Sequence, residues 1–211
     1  NELTTPEEDI IDPFNVSQQA MDAGAELVLW YDGEAEVEGD DEYSQFINNC
    51  SVLAQTNHKY LAPSFIFKNQ TTGMKMIKLV LFGRDGQVLF DYTKQHLAGD
   101  GDKDKVQGVA IAQQQDDIGT IGGVICRDAG FQVFMQEAGR AKVDIMLVPS
   151  EDMKSWYASA TPSLVFSRAI ENGISFIRLA KTGQSMAVDS YGKVLLTSNW
   201  FASNVVDGRD A

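Results

Sequence analysis

The sequence predicts an α/β fold with mixed sheets and helices packed outside them. Three observations lead there. Short apolar, β-branched runs alternate with amphipathic stretches through much of the chain. Gly/Asp turn signals join other runs as hairpins, which makes the sheets mixed rather than all parallel. No repeat and no linker-like segment divides the 211 residues, so one domain over 1–211 is expected, long enough for a substantial core.

The elements follow in order. Residues 1–12 are polar and acidic, with no strand of their own. Asp12-Pro13 is a helix start, with Pro at the first helical position. Phe14, Gln18, Met21 and Ala25 continue that helix toward Gly24. Glu26 to Tyr31 reads as a buried strand. The acidic stretch from Asp32 to Glu42 reads as a solvated loop and helix N-terminus, where the dipole favours negative charge. Residues 41–57 form an amphipathic helix, with Cys50 on its apolar stripe. Tyr60 to Phe67 is a strand. Met76 to Phe82 and Gln87 to Phe90 are strands joined by Gly83-Arg84-Asp85-Gly86. Ile118 to Ile125 is a central strand that stops at Cys126, and Phe131 to Ala141 is helical. Val143 to Val148 is a strand, Thr161 to Asn172 a helix closed by Gly173. Ile174 to Ala180, Gln184 to Val188 and Lys193 to Thr197 are strands.

A formal net charge of -13 argues against non-specific binding to nucleic acid or to an anionic membrane surface. No apolar run approaches the roughly 20 residues of a membrane span. The two cysteines make no disulfide framework. Asp100-Gly101-Asp102-Lys103-Asp104 begins like a calcium loop but lacks its Gly and closing Glu, and His58 and His96 lack ligand spacing. No metal and no cofactor are therefore expected.

Three segments put reactive side chains just after buried strands: Asp32, Lys94 and Cys126. An acid, a lysine and a thiol together suit acyl transfer. The thiol attacks a carbonyl carbon, the acid takes its proton, and the ammonium stabilises the oxyanion. Amides at the N-terminus of the helix after Cys126 would stabilise its thiolate or an oxyanion, and with the lysine would lower its pKa. Arg168 and Glu171 read as a structural pair, Asp128 as a turn-holder or a partner of Arg127, and Trp30 as core.

These segments resemble the nitrilase, or carbon–nitrogen hydrolase, superfamily. AGAELVLWYDGEAEV is similar to the family's strand ending in Trp-Pro-Glu-Gly, and DGQVLFDYTKQHL to its lysine segment. GGVICRDAGFQVFMQEAGRAKVDIMLVPSEDM resembles its cysteine segment and the strand that follows. FSRAIENGISFIRLAKTGQSMAVDSYGKVL resembles its Arg-Ala-Ile-Glu-Asn-Gly helix and closing hairpin. RAIENG and TGQS are most similar to the apolipoprotein N-acyltransferase-like branch. The resemblance implies a four-layer αββα sandwich, trimmed at its ends, with a first strand before residue 1 and further strands after 205. It also implies a Glu-Lys-Cys catalytic set. Cys126 falls at the nucleophile and Lys94 at the lysine, while Asp32 stands where the family has Glu. Glu34 is the nearest longer acid, at a two-residue shift. For the family's second Glu, Asp102 is the first candidate and Asp100 the second.

Two readings follow. One is thiol-dependent amide hydrolysis or N-acyl transfer on a small-molecule amide or acyl substrate, which in the acyltransferase-like branch is lipid-derived. That branch also implies flanking membrane segments and an extracytoplasmic domain. The other is a catalytically impaired module that keeps the fold and binds a ligand or partner. Retained Lys94 and Cys126 favour the first; the shortened acids favour the second.

Overall fold

The structure is a computed structural model, and it describes residues 12–97, 105–108, 111–152, 156–181 and 183–198. Among these residues two six-stranded mixed sheets form the centre.

The first sheet holds β1 (Leu27–Leu29), β2 (Ala35–Glu38), β3 (Tyr60–Ala62), β4 (Ser64–Lys68), β5 (Lys75–Phe82) and β6 (Val88–Thr93). β1 runs parallel to β3, and β2 parallel to β4. β5 is antiparallel to both β3 and β4 and takes β6 along its other edge, with Leu79 opposite Tyr92. The second sheet holds β7 (Ala112–Asp116), β8 (Gly119–Gly123), β9 (Ile145–Ser150), β10 (Ser175–Ala180), β11 (Met186–Val188) and β12 (Val194–Thr197). Its strands lie side by side in chain order. β8, β9 and β10 are parallel at the centre, and antiparallel pairs extend both edges.

Strand alternation sorts side chains between two cores. Leu61, Phe65, Val80 and Phe82 pack with Met21, Phe46, Cys50 and Ala54, which belong to α1 (Pro13–Asp22) and α2 (Gly39–Asn57). Tyr60, Leu79, Leu81 and Tyr92 point the opposite way, toward Ile121 and the second sheet. Beyond that sheet lie α3 (Gln132–Arg140) and α4 (Trp156–Asn172), whose Phe134, Met135, Val165 and Ala169 join the same core. The layers are therefore helix, sheet, sheet, helix. Gly123 lets the two sheets touch: a Cβ there would lie 2.7 Å from the Phe90 ring.

Several elements differ from the sequence expectation. Part of the presumed acidic loop is β2, because β4 offers it a parallel backbone partner. The expected strand Tyr60 to Phe67 is two, divided at Pro63, which has no N–H for the ladder. β7 carries Gln114 and Gln115 and lacks an apolar signal; it forms by pairing with β8. α4 begins at Trp156, five residues before the expected start. Residues 1–11, Asp100, Asp102 and the calcium-like segment lie outside the described residues.

Candidate active site

Three strand ends meet at one edge of the sandwich. Asp32 occupies the turn after β1, where Gly33 takes a positive φ of 72° and offsets the chain before it resumes, in the same direction, as β2. Lys94 directly follows β6. Its N–H donates to the Ile77 carbonyl, and its carbonyl accepts from Gly108, so the backbone is held on both sides. The Lys94 ammonium lies 3.2 Å from Asp32 Oδ2, and the two side chains are only 4% and 8% exposed. A buried ammonium needs such a partner.

Cys126 opens a 3-10 turn (Cys126–Gly130) that follows β8. Its φ is +50°. Among the described residues the other non-glycines with positive φ, His58 and Lys142, close α2 and α3, where a left-handed residue ends a helix. Cys126 ends no helix. The conformation costs on the order of 1–2 kcal/mol, and strain of this kind concentrates at functional sites. Its Sγ points at the Glu151 carbonyl, 3.8 Å away.

Asp128 fixes this turn. Fully buried, its carboxylate accepts from the Ile125 N–H at 3.2 Å, the Tyr92 hydroxyl at 2.6 Å and the His96 N–H at 2.6 Å. His96 Nδ1 lies 2.9 Å away, and its ring stacks on Phe131 with centroids 3.7 Å apart. Arg127 does not pair with Asp128; its guanidinium lies over the Phe131 ring. Asp128 holds the turn, as the first of the two sequence expectations stated.

Burial pushes the Cys126 thiol above the usual cysteine range. The Lys94 charge opposes this, while the nearby carboxylates of Asp32 and Asp152 reinforce it. The expectation that the lysine and helix amides would lower the pKa of this thiol is therefore corrected. α3 begins only at Gln132, and desolvation outweighs the lysine. A neutral thiol beside a carboxylate needs a base before it can attack.

Glu34 stands apart from this set. It has no hydrogen bond to Lys94 or Cys126 among the described residues, and burial raises its carboxyl to about 7 against the opposing charge of Lys181. Lys181 lies 5.0 Å over the Tyr31 ring and 3.9 Å from Glu151 Oε1.

A second buried ion pair went unread in the sequence. Arg178 Nη2 lies 2.6 Å from both Asp152 oxygens, and Nη1 donates to the Gln184 carbonyl. An arginine in the otherwise apolar run SFIRLA was its signal, since a charge at a buried strand position requires a partner. Arg168 pairs with Glu171 one turn along α4. Trp30 is core, its Nε1 donating to Ser17 Oγ at 2.8 Å. Among the described residues no group of three or more His, Cys, Asp or Glu could hold a metal ion.

The family of carbon-nitrogen hydrolases matches residues 15–209. The chain belongs to that family. Its αββα fold is shared with an amidase from Nesterenkonia sp. AN1, solved with acrylamide added to the active-site cysteine. The TM-score is 0.76 at 19% identity, covering 88% of this chain and 80% of that one. The same amidase in complex with butyramide gives 0.75 at 20% identity, covering 88% and 78%. Deaminated glutathione amidase of Dictyostelium discoideum is 36% identical over 88 residues, which is 37% of this chain and 30% of that protein. In this carbon-nitrogen hydrolase the acid that reaches the lysine is an Asp, Asp32.

Proposed function

We propose that this carbon-nitrogen hydrolase cleaves the amide bond of a small molecule through a thioester on Cys126. Asp32 takes the thiol proton as Sγ bonds to the amide carbon, and Lys94 donates to the oxyanion that forms. Asp32 returns the proton to the leaving nitrogen, the C–N bond breaks, and ammonia or an amine departs. Water, deprotonated by Asp32, then attacks the thioester; the C–S bond breaks, the acid departs, and Asp32 returns the proton to Sγ. One observation carries this reading: a buried Asp32–Lys94 pair whose charges both act on a thiol held at a strained turn. Amide binding by the structural relatives supports the small-molecule substrate.

The test is ammonia release from a series of small aliphatic amides, with a matching acyl mass shift on Cys126. Release with no such adduct, or undiminished release by Cys126→Ser, rejects the thioester.

N-acyl transfer is the second reading, favoured by RAIENG and TGQS. There an amine intercepts the same thioester, the acyl group is lipid-derived, and membrane segments flank an extracytoplasmic domain. Formation of an N-acyl product from added amine, in preference to free acid, separates it from hydrolysis. In either reading Asp102 is the candidate second acid.

A further inference from the structure

The proposed reaction leaves one carboxylate near Asp32 in the chain unused. Glu34 lies two residues beyond Asp32, and its N–H donates to the Ser64 carbonyl at 3.1 Å. Ala35 pairs with Phe65, which packs into the core under α1 and α2. Alternation therefore turns Glu34 toward the other face, between the sheets. Ser64 shares that face, being opposite Leu79 of the inter-sheet core.

Both side chains carry an orphan. Glu34 Oε2 is buried without a hydrogen-bond partner among the described residues. Ser64 Oγ is likewise buried and unpartnered among them, on a residue with 0% exposure. Buried polar atoms are nearly always satisfied, so two on residues joined by a backbone hydrogen bond call for a polar group from outside the chain. Lys181 does not supply it: its charge acts on Glu34, but its ammonium is placed over Tyr31 and near Glu151. These residues border the nucleophile. Tyr31 adjoins Asp32, and the Glu151 carbonyl faces Cys126 Sγ.

We propose that Glu34 is the specificity residue of this site, accepting an N–H donor, best an ammonium, from the non-reacting end of the amide substrate. The substrate class is then an amide that also carries an amino group, rather than a plain aliphatic amide. Ser64 supplies a neutral second contact to the same group. The inference rests on Cys126 being the nucleophile; Glu34 has no part in the bond-making steps.

Charged thiol reagents test it without turnover. Cys126 is treated with 2-aminoethyl methanethiosulfonate, its 2-trimethylammonioethyl analogue and neutral propyl methanethiosulfonate. Each forms a mixed disulfide and releases methanesulfinate, and each rate is normalised to that of a free thiol. The neutral rate at Cys126 against Cys50 reads the nucleophile; the aminoethyl-to-propyl ratio reads Glu34. Expected is a ratio about fivefold higher in the native protein than in Glu34→Gln or Glu34→Met, the size of one partly exposed ion pair. Lys181→Met raises the ratio. An unchanged ratio in both Glu34 variants overturns the proposal. So does an equal fall for the trimethylammonium reagent, which has the charge but no N–H. Absence of Cys126 labelling by any reagent also overturns it, because the mouth then admits no substrate.

Discussion

The Tyr92 hydroxyl donates to Asp128 Oδ2 at 2.6 Å, and this bond ties the lysine strand of one sheet to the cysteine turn of the other. Tyr92 stands two residues before Lys94; Asp128 stands two after Cys126. The same carboxylate takes the N–H groups of Ile125 and His96, so one buried charge sets the distance between two reactive side chains.

Tyr92→Phe should therefore cost about 2 kcal/mol, as for a hydrogen bond to a charged group. Asp128→Asn should cost more, since it also weakens the bonds from Ile125 and His96. Urea denaturation reads both. Acylation of Cys126 should slow in both variants at urea concentrations where each is fully folded. A Tyr92→Phe protein of native stability and native rate would refute the tie.

Cys126 should react with iodoacetamide faster than Cys50. Cys50 has 0% exposure, and burial pushes its thiol far up. Cys126 is partly exposed and faces Lys94. Because burial also raises Cys126, its labelling should climb with alkaline pH rather than level off below neutrality. Mass spectrometry after short labelling at several pH values decides; equal rates at the two cysteines would count against a nucleophile.

Asp32→Asn should slow acylation by about 10²–10⁴-fold, the usual contribution of a general base. Asp32→Glu should raise turnover, because the longer chain adds reach toward thiol and water while keeping the Lys94 partner. Single-turnover acylation and deacylation with an activated ester separate the steps. A fall in both steps for Asp32→Glu, with the fold intact, would show that the site is built around the shorter acid. Full activity in Asp32→Asn together with its loss in Glu34→Gln would move the base to Glu34.

Glu34 gives a pH signature in stability. Burial raises its carboxyl from 4.5 to about 7. Between those values the folded state keeps a proton that the unfolded chain has lost. Its contribution to stability is therefore full below about pH 4.5, declines through the window and is constant above it. Glu34→Gln removes the decline, so the variant should gain on the native protein between pH 5 and pH 8. Parallel urea titrations at those two pH values test this; a constant difference contradicts it.

Much of the site was legible without coordinates, because apolar runs with period 2 announce strands and the residues after them are held at strand ends. Asp32, Lys94 and Cys126 became candidates in that way, and the fold brings them together; the helical stripe of Phe46, Cys50 and Ala54 marked Cys50 as core. β2 and β7 were not legible: short polar strands form only because a neighbouring strand presents unpaired backbone groups. Which acid meets the lysine was also undecided, since Asp32 and Glu34 stand two positions apart and only the folded chain brings one of them, Asp32, to Lys94. The direction of the Cys126 shift, and the partners of Asp128 and Arg178, belong to tertiary structure alone. Desolvation and charge pairing depend on what other strands bring within a few ångströms, and local sequence carries no record of those neighbours.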